Sequence, residues 1–588
     1  MSAAKRSDMQ PETGGQVPDR FRRLLVEKEK ILSMTPEEAL SRILEAPQPA
    51  ALVHALGDMD FHFLVQQLGA DRALPLLALA SDGQIDHIFD LQVWQRDRLD
   101  TEAATRWLDR MLSAAPGRLA RWALRGDAAF IELYLFRNIE VIVRGHDQDP
   151  SDFPDGFASL DETFYFRVRP LPPAATPEDD ASQKAAAAER MQREKVLRAL
   201  LQNIAAYDYP KYQHLLLELA ALLPAEAEEE LFRRRSVRLA EKGFLPFDEA
   251  LGIYQPLKRK QLRPLPQAAH RKEDAASLRF AVPQYPLRMI ASGSPLARAL
   301  QLVADEMRRG QLQMEFAGLC NRIAVTDKVA VVSRQQLEDV GRKAVAYVGI
   351  GLAHLCGAAG AGRWAQILTD YGLVQVFRVG YGRALALKWR ADEWLYRSWF
   401  RASGLGLSFW DEAWMGLLGG LFLKRPLFFD AFQAAGHYRD FMNLDEIRRT
   451  SVQLERIMAF DTLFAALDLP PAGSMLDTPL TFKNFLLTAW ARHYLGMSAT
   501  RTAPIARDAF ARFFADLFEP SSGANSIRPA MKTIFLSWLS TRSGMTPDAI
   551  SSCLAQALED LFAEVQDEYG RLSPDDLDPR FLPHFLLD

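Results

Sequence analysis

Short apolar segments alternate with small polar turns between residues 49 and 99. The turns recur every twelve residues, at Leu56-Gly57, Leu68-Gly69 and Ala80-Ser81. Leucines at helical spacing over about eight residues, followed by Gly or Asp, predict a short helix and a turn. Because such helices cannot bury an apolar face alone, we expect them to stack on their neighbours in a superhelical array.

Helical periodicity continues on both sides of this stretch, so the sequence predicts a mainly α fold with a helical C-terminal region. Residues 35–38 (TPEE) combine an N-cap hydroxyl, a proline at the first helical position and a capping-box glutamate. Ser294 and Ser333 are expected to cap two further helices. The runs at 138–143 and 162–168 are instead β-branched and aromatic, and they predict a small β-hairpin inserted among the helices.

Changes in composition suggest how the chain is organised. In order, we expect a disordered tail, the short-helix array, the hairpin insertion, a helical extension with a proline-rich loop, a basic and proline-rich linker, and a helical C-terminal domain. These segments are 1–20, 21–136, 137–169, 170–255, 256–285 and 286–588, with a further boundary considered near residue 470. Residues 365–386 are interpreted as helical, and Gly380-Tyr381-Gly382 as a turn.

Composition and charge narrow the class of protein. Apolar residues make up 48% of the 588 residues and charged residues 25%, as in an ordinary globular protein. The net charge of -5 gives no field that would favour nucleic acid or an anionic membrane. Three widely spaced cysteines suggest a reducing compartment, and the N-terminal residues lack the apolar core of a secretory signal. We therefore expect a cytoplasmic protein with no transmembrane segment and no nucleic-acid partner.

Motifs that would reveal a reaction are missing from the sequence. There is no HExxH, CxxC, GxxxxGK[ST], GxGxxG or GxSxG pattern. His354 and Cys356 are close in sequence, but a step of two residues points them to different faces of a helix, so they are interpreted as packing residues. No catalytic residue and no cofactor is predicted, although a triad assembled by the fold need not be adjacent in sequence.

One acidic segment remains as a candidate cation site. Asp147, Asp149 and Asp152 offer clustered oxygen ligands of the kind that hard divalent cations need. An EF-hand loop starting at Asp147 would require a glycine at position 152 and a glutamate at position 158, where the chain has Asp152 and Ala158. Two interpretations stay open, namely weak magnesium binding through one or two carboxylates and a solvated hairpin loop.

Several stretches together resemble a known family. They are LVHALGDMDFHFLVQQLG, SDGQIDHIFDLQVWQRDRL, SLDETFYFRV, RLAEKGFLPFDEALGIYQPL and LCNRIAVTDKVAV. In these the chain resembles the bacterial domain-of-unknown-function 6178 family, which implies no particular activity and names no site residue. Residues 35–125 are also similar to the cytosolic N-terminal superhelical domain of MgtE-type magnesium transporters. That resemblance implies a helical array with a regulatory or docking role.

Two functions follow as expectations. The first is a helical scaffold or adaptor that binds a protein partner through the superhelical array. The alternative is a metal-responsive regulator or an enzyme, with a pocket between the N- and C-terminal helical regions and the Asp147–Asp161 loop as its metal ligand source. The oligomeric state and the identity of the partner do not follow from the sequence.

Overall fold

A computed structural model gives the fold of the chain. It describes residues 19–95, 97–125, 129–145, 148–169, 180–219, 224–242, 244, 247–265, 283–329, 334–357, 360–431, 437–469, 479–497, 503–519 and 525–588. Residues 1–18 of the predicted tail, Asp147, the proline-rich loop at 170–179, the cap at Ser333 and most of the predicted linker lie outside these residues. The last two residues of the predicted tail, Asp19 and Arg20, are instead helical. The chain divides into two compact units. The first comprises Met1–Gln255, Arg263–Val345 and Ala359–Val376, and the second comprises Pro256–Leu262, Ala346–Ala358 and Phe377–Asp588.

The fold is mainly α, as the sequence predicts. The helices before residue 260 are α1 (Asp19–Ser33), α2 (Pro36–Leu44), α3 (Pro49–Ala55), α4 (Asp58–Leu68), α5 (Leu74–Leu79), α6 (Asp82–Gln92), α7 (Thr101–Ala114), α8 (Pro116–Ala123), α9 (Ala129–Asn138), α10 (Asp180–Tyr207), α11 (Tyr209–Leu219), α12 (Pro224–Glu241) and α13 (Phe247–Leu251). Those that follow are α14 (Gln284–Arg288), α15 (Pro295–Gln301), α16 (Glu306–Asp327), α17 (Arg334–Cys356), α18 (Ala361–Arg397), α19 (Trp399–Ala402), α20 (Asp411–Phe422), α21 (Leu444–Leu467), α22 (Phe482–Tyr494), α23 (Arg507–Leu517), α24 (Pro529–Ser543) and α25 (Pro547–Tyr569).

The strands are short and antiparallel. They are β1 (Trp94–Gln95), β2 (Arg98–Leu99), β3 (Ile139–Val143), β4 (Ala158–Ser159), β5 (Phe164–Val168), β6 (Phe428–Phe429), β7 (Tyr438–Arg439), β8 (Phe518–Glu519) and β9 (Ser526–Ile527). The predicted hairpin is confirmed, because β3 pairs with β5 from Ile139↔Val168 to Val143↔Phe164. The structure adds β4 on the other side of β5, which gives the strand order β3-β5-β4.

The short apolar segments of the N-terminal region form helices α3 to α6, as expected. Alternate helices pack side by side, with α3 on α5, α4 on α6 and α5 on α7. Thr35 and Glu38 form the predicted capping box of α2, and Ser81 and Gln84 form a second one at α6. Gly69 has a φ of +81°, which a residue with a side chain rarely adopts, and this turn ends α4. Local sequence therefore fixes where these helices begin and end.

The first unit also contains helices that follow the segment predicted as a linker. The backbone N–H groups of Gln284 and Tyr285 donate to the carboxylate of Asp60, at 2.8 and 3.0 Å. Asp60 is fully buried and also lies 3.5 Å from the Lys28 ammonium. The start of α14 is thus hydrogen-bonded to α4 within one unit, while the domain boundaries drawn from composition stay predictions.

Helix α18 corrects one expectation. Gly380-Tyr381-Gly382 was predicted as a turn, but all three residues lie inside this helix. A Cβ atom on Gly380 would lie 1.9 Å from the carbonyl oxygen of Tyr347 on α17. The glycine is needed for close helix packing rather than for a turn. The helix does bend, at Gly372, where φ is +74°.

No single described helix combines the length and apolarity needed to cross a membrane. The pair Gln335–Cys356 and Ala361–Arg397 meets the requirement only when the two bent helices are taken together.

Candidate functional site

A large cavity in the second unit is the strongest candidate site. Its volume is about 780 Å³, and it lies between α20, β6, α21, the start of α22 and the middle of α25. Ligand pockets of proteins usually occupy about 300–1,000 Å³ and combine apolar walls with a few polar groups. We call it the aromatic cavity, since its lining includes Trp410, Trp414, Phe428, Phe429, Phe460 and Phe482.

Trp414 is the centre of the aromatic wall. Its ring stacks on Phe482, with centroids 4.7 Å apart and planes 18° apart, and its centroid lies 5.7 Å from that of Phe460. The indole N–H donates to the Gln453 side chain at 3.0 Å, which fixes the orientation of the ring. Because Trp414 is only half-buried, part of this apolar surface stays open to a ligand.

Trp410 supplies a buried donor in the same wall. The residue is fully buried, and its Nε1 atom has no hydrogen-bond partner within the described part of the chain. Buried indole N–H groups usually have an acceptor, since leaving one unpaired costs about 1–3 kcal/mol. The stacked rings favour a planar ligand, while the Trp410 donor is an unusual feature of the wall behind them.

One lysine of the cavity lining forms ion pairs with two carboxylates of the same lining. The Lys483 ammonium lies 2.8 Å from the Asp411 carboxylate and 2.7 Å from that of Glu564. Burial lowers the pKa of Lys483, but these two hydrogen-bonded carboxylates outweigh it, so the pKa is raised and the lysine is charged. Asp411 adopts a φ of +60°, a conformation that costs a non-glycine residue about 1–3 kcal/mol and that clusters at functional sites.

The remaining charges of the lining have both signs. Glu412 and Arg449 are exposed, and neither has an ion-pair partner among the residues that the structure describes. Arg456 lies 3.9 Å from Asp560, a distance at the limit of an ion pair. A ligand could therefore meet both a cationic and an anionic side chain at this cavity.

Glu564 also belongs to a cluster with metal-binding residue types. The potential ligand atoms of Glu564, Glu568 and His584 all lie within 4.8 Å of one another. His584 Nε2 lies 3.1 Å from Glu564, and Nδ1 lies 2.6 Å from the hydroxyl of Tyr569. The hydrogen bonds from His584 and then Lys483 lower the pKa of Glu564 to about 2. Both imidazole nitrogens thus have partners already, and these contacts hold the C-terminal segment against α25.

The acidic loop predicted from the sequence has a different geometry. Asp147 lies outside the described residues. The Asp149 carboxylate accepts hydrogen bonds from the backbone and hydroxyl of Ser151, at 2.9 and 2.7 Å, and these bonds lower its pKa. Asp152 is exposed, and its backbone N–H donates to the carbonyl of Asp149. Asp149 and Asp152 therefore shape a solvated turn, while cation binding there stays a prediction.

A buried polar cluster inside the first unit was also missed from the sequence. His62 and His87 are both buried, with ring centroids 5.9 Å apart. His62 Nε2 lies within hydrogen-bonding distance of the side-chain amides of Gln66 and Gln92, at 3.3 and 3.1 Å. Neither ring nitrogen of His87 has a partner in the described ranges. The available sequence signal was the position of each histidine next to large apolar residues, in DFHFLV on α4 and in DHIF on α6.

Comparison with known proteins yields one match. A model of a family of unknown function, DUF6178, matches residues 21–588. No curated protein and no solved structure matches the chain.

Proposed function

This chain belongs to the DUF6178 family, and we propose that it binds a small organic ligand in the aromatic cavity of its second unit. The observation that carries the proposal is the half-buried Trp414 ring, stacked on Phe482 beside about 780 Å³ of open volume. An apolar wall of this size with a few polar groups is what small-molecule sites have in common.

The lining defines the chemistry of the ligand. The faces of the aromatic rings, Trp414 above all, favour a planar apolar portion. Arg449 and Glu412 offer charges of opposite sign at the edge of the cavity. The ligand that fits best is therefore a planar aromatic molecule with both an anionic and a cationic group.

Four probes that share one ring and differ in charge test this proposal. Indole is neutral, tryptamine is a cation, indole-3-acetate is an anion and tryptophan is a zwitterion. Saturation-transfer NMR and thermal shift on the full chain should show saturable binding, strongest for the zwitterion. The Trp414→Leu variant should bind at least tenfold more weakly, since a lost stacking partner is worth about 1.4 kcal/mol.

Trp389→Leu is the matched control. Trp389 is 51% exposed on α18 and does not line the cavity, so its replacement should leave binding unchanged. If none of the four probes saturates the folded wild-type protein, or if both variants lose binding equally, the proposal is wrong.

A docking role for the N-terminal array is a second, separate proposal. Its support is a groove of about 690 Å³ at the first helices, lined by Leu24, Leu52 and the charged Glu27 and Arg42. Such a surface would suit a protein segment in the cytoplasm, in the manner that similarity to MgtE-type domains suggests. A photo-crosslinker at Leu24 should capture one partner in cells, and Arg42→Glu, at a side chain that is 50% exposed, should abolish that capture. Capture that persists unchanged in the variant would contradict this role.

A further inference from the structure

A smaller pocket in the second unit has a lining unlike that of the aromatic cavity. Its volume is about 230 Å³, and it lies between the end of α17, the middle of α18 and the start of α21. Four basic side chains line it, namely His354, Arg383, Arg390 and Arg448. The lining contains no acidic residue, so the pocket itself is cationic.

The arginines differ in their partners. Arg390 lies 3.1 Å from Glu455, and Arg448 lies 3.0 Å from Asp445, so nearby acids offset these two charges. Arg383 has no hydrogen bond and no ion pair with any residue that the structure describes, and its Nε atom is buried. The side chain as a whole is only partly buried, so its terminal N–H groups, which also lack an acceptor among the described residues, are available to an anion in the pocket.

Two further features of the lining bear on anion binding, one through charge and one through hydrogen bonding. Helix α21 begins at Leu444, which lines the pocket, and the partial positive charge of its N-terminal end is offset in part by Asp445 and Glu446 in its first turn. Burial lowers the pKa of His354, and the charges of Arg383 and Arg259 lower it further. The imidazole is thus neutral near pH 7 and can serve as a hydrogen-bonding group beside the guanidinium.

We propose that this pocket binds a small, multiply charged oxyanion of the phosphate type. The guanidinium group donates in a planar fork that matches two oxygens of such an anion. A volume of about 230 Å³ is below the roughly 300 Å³ at which pockets for drug-sized molecules begin, which favours a phosphate group over a larger ligand. The site is separate from the aromatic cavity, and neither proposal depends on the other.

Calorimetric titration of the full chain at constant ionic strength tests the proposal. The probes are orthophosphate, sulfate, glycerol 3-phosphate and acetate. Orthophosphate should bind saturably to the wild type, and Arg383→Gln should weaken this binding at least tenfold. Arg397→Gln is the matched control, because Arg397 lies on the same helix, is 75% exposed and pairs with Glu393. Its affinity should stay within twofold of the wild type.

A second variant distinguishes a loss of phosphate binding from a loss of the fold. The side chain of Arg448 is 65% exposed, so Arg448→Glu should leave the fold intact while it reverses one charge of the lining. Arg448→Glu should also weaken the binding of orthophosphate at least tenfold. If orthophosphate binds more tightly than glycerol 3-phosphate, the natural ligand is a free anion. If glycerol 3-phosphate binds more tightly, the ligand is an esterified phosphate head group. The proposal is overturned if phosphate does not bind, if acetate binds equally well, or if Arg383→Gln behaves like Arg397→Gln.

Discussion

Mild acid should destabilise the first unit through the buried histidine His87. Burial lowers the pKa of His87 well below its usual 6.5, and the neighbouring Lys242 and His62 lower it further. The ammonium of Lys242 is itself paired with Asp58 at 2.7 Å. In the unfolded chain the imidazole would titrate near pH 6.5. Below that pH the unfolded state binds a proton that the folded state does not, so stability is complete above about pH 6.5 and falls as the pH decreases.

The size of the effect follows from the linkage relation. Between pH 7 and pH 5, one imidazole that titrates at 6.5 when unfolded and remains neutral when folded lowers the unfolding free energy by about 2 kcal/mol. His87→Phe removes that contribution and keeps a flat ring against His62 and Phe244. It also removes two unpaired nitrogen atoms from the core, so we expect the variant to be at least as stable as the wild type at pH 7.

Urea unfolding at pH 7 and pH 5, followed by circular dichroism and tryptophan fluorescence, measures this difference. The double difference between wild type and His87→Phe cancels the titration of every group that the two proteins share. We expect this double difference to be about 2 kcal/mol. His214→Gln is the control, because His214 is exposed on α11. If wild type and His87→Phe lose the same stability between the two pH values, the reasoning about the buried imidazole is refuted.

Two further substitutions test the packing and the buried charges. Gly380→Ala should lower stability by about 1–3 kcal/mol in a thermal melt, because its Cβ would meet the Tyr347 carbonyl oxygen. Gly362→Ala is the control and should not be destabilising, because its Cβ would have no atom within 4 Å. Arg238→Met should cost about 1–3 kcal/mol in urea unfolding, since the Asp90 carboxylate, hydrogen-bonded to Arg238 at 2.7 and 2.8 Å, would stay buried without that partner. Equal stability of the two glycine variants, or an unchanged transition for Arg238→Met, would contradict these arguments.

Much of the candidate chemistry could not be predicted from sequence. The aromatic cavity joins Asp411, Trp414, Lys483 and Glu564, which belong to three helices far apart along the chain. The cationic pocket likewise needed three helices to bring His354 to the arginines. Motif searches detect groups at fixed spacing, and no such spacing relates these residues.

Local patterns, by contrast, were sufficient for the mainly α class, the short stacked helices, the capping box at Thr35 and the inserted hairpin. Those features depend on contacts between residues a few positions apart, so their signal lies in a short window of sequence. Only the tertiary structure decided that Gly380 packs on a neighbouring helix and that Asp60 holds a helix more than two hundred residues away. Such choices depend on which surfaces meet, because burial and charge pairing act between any residues that the fold brings together.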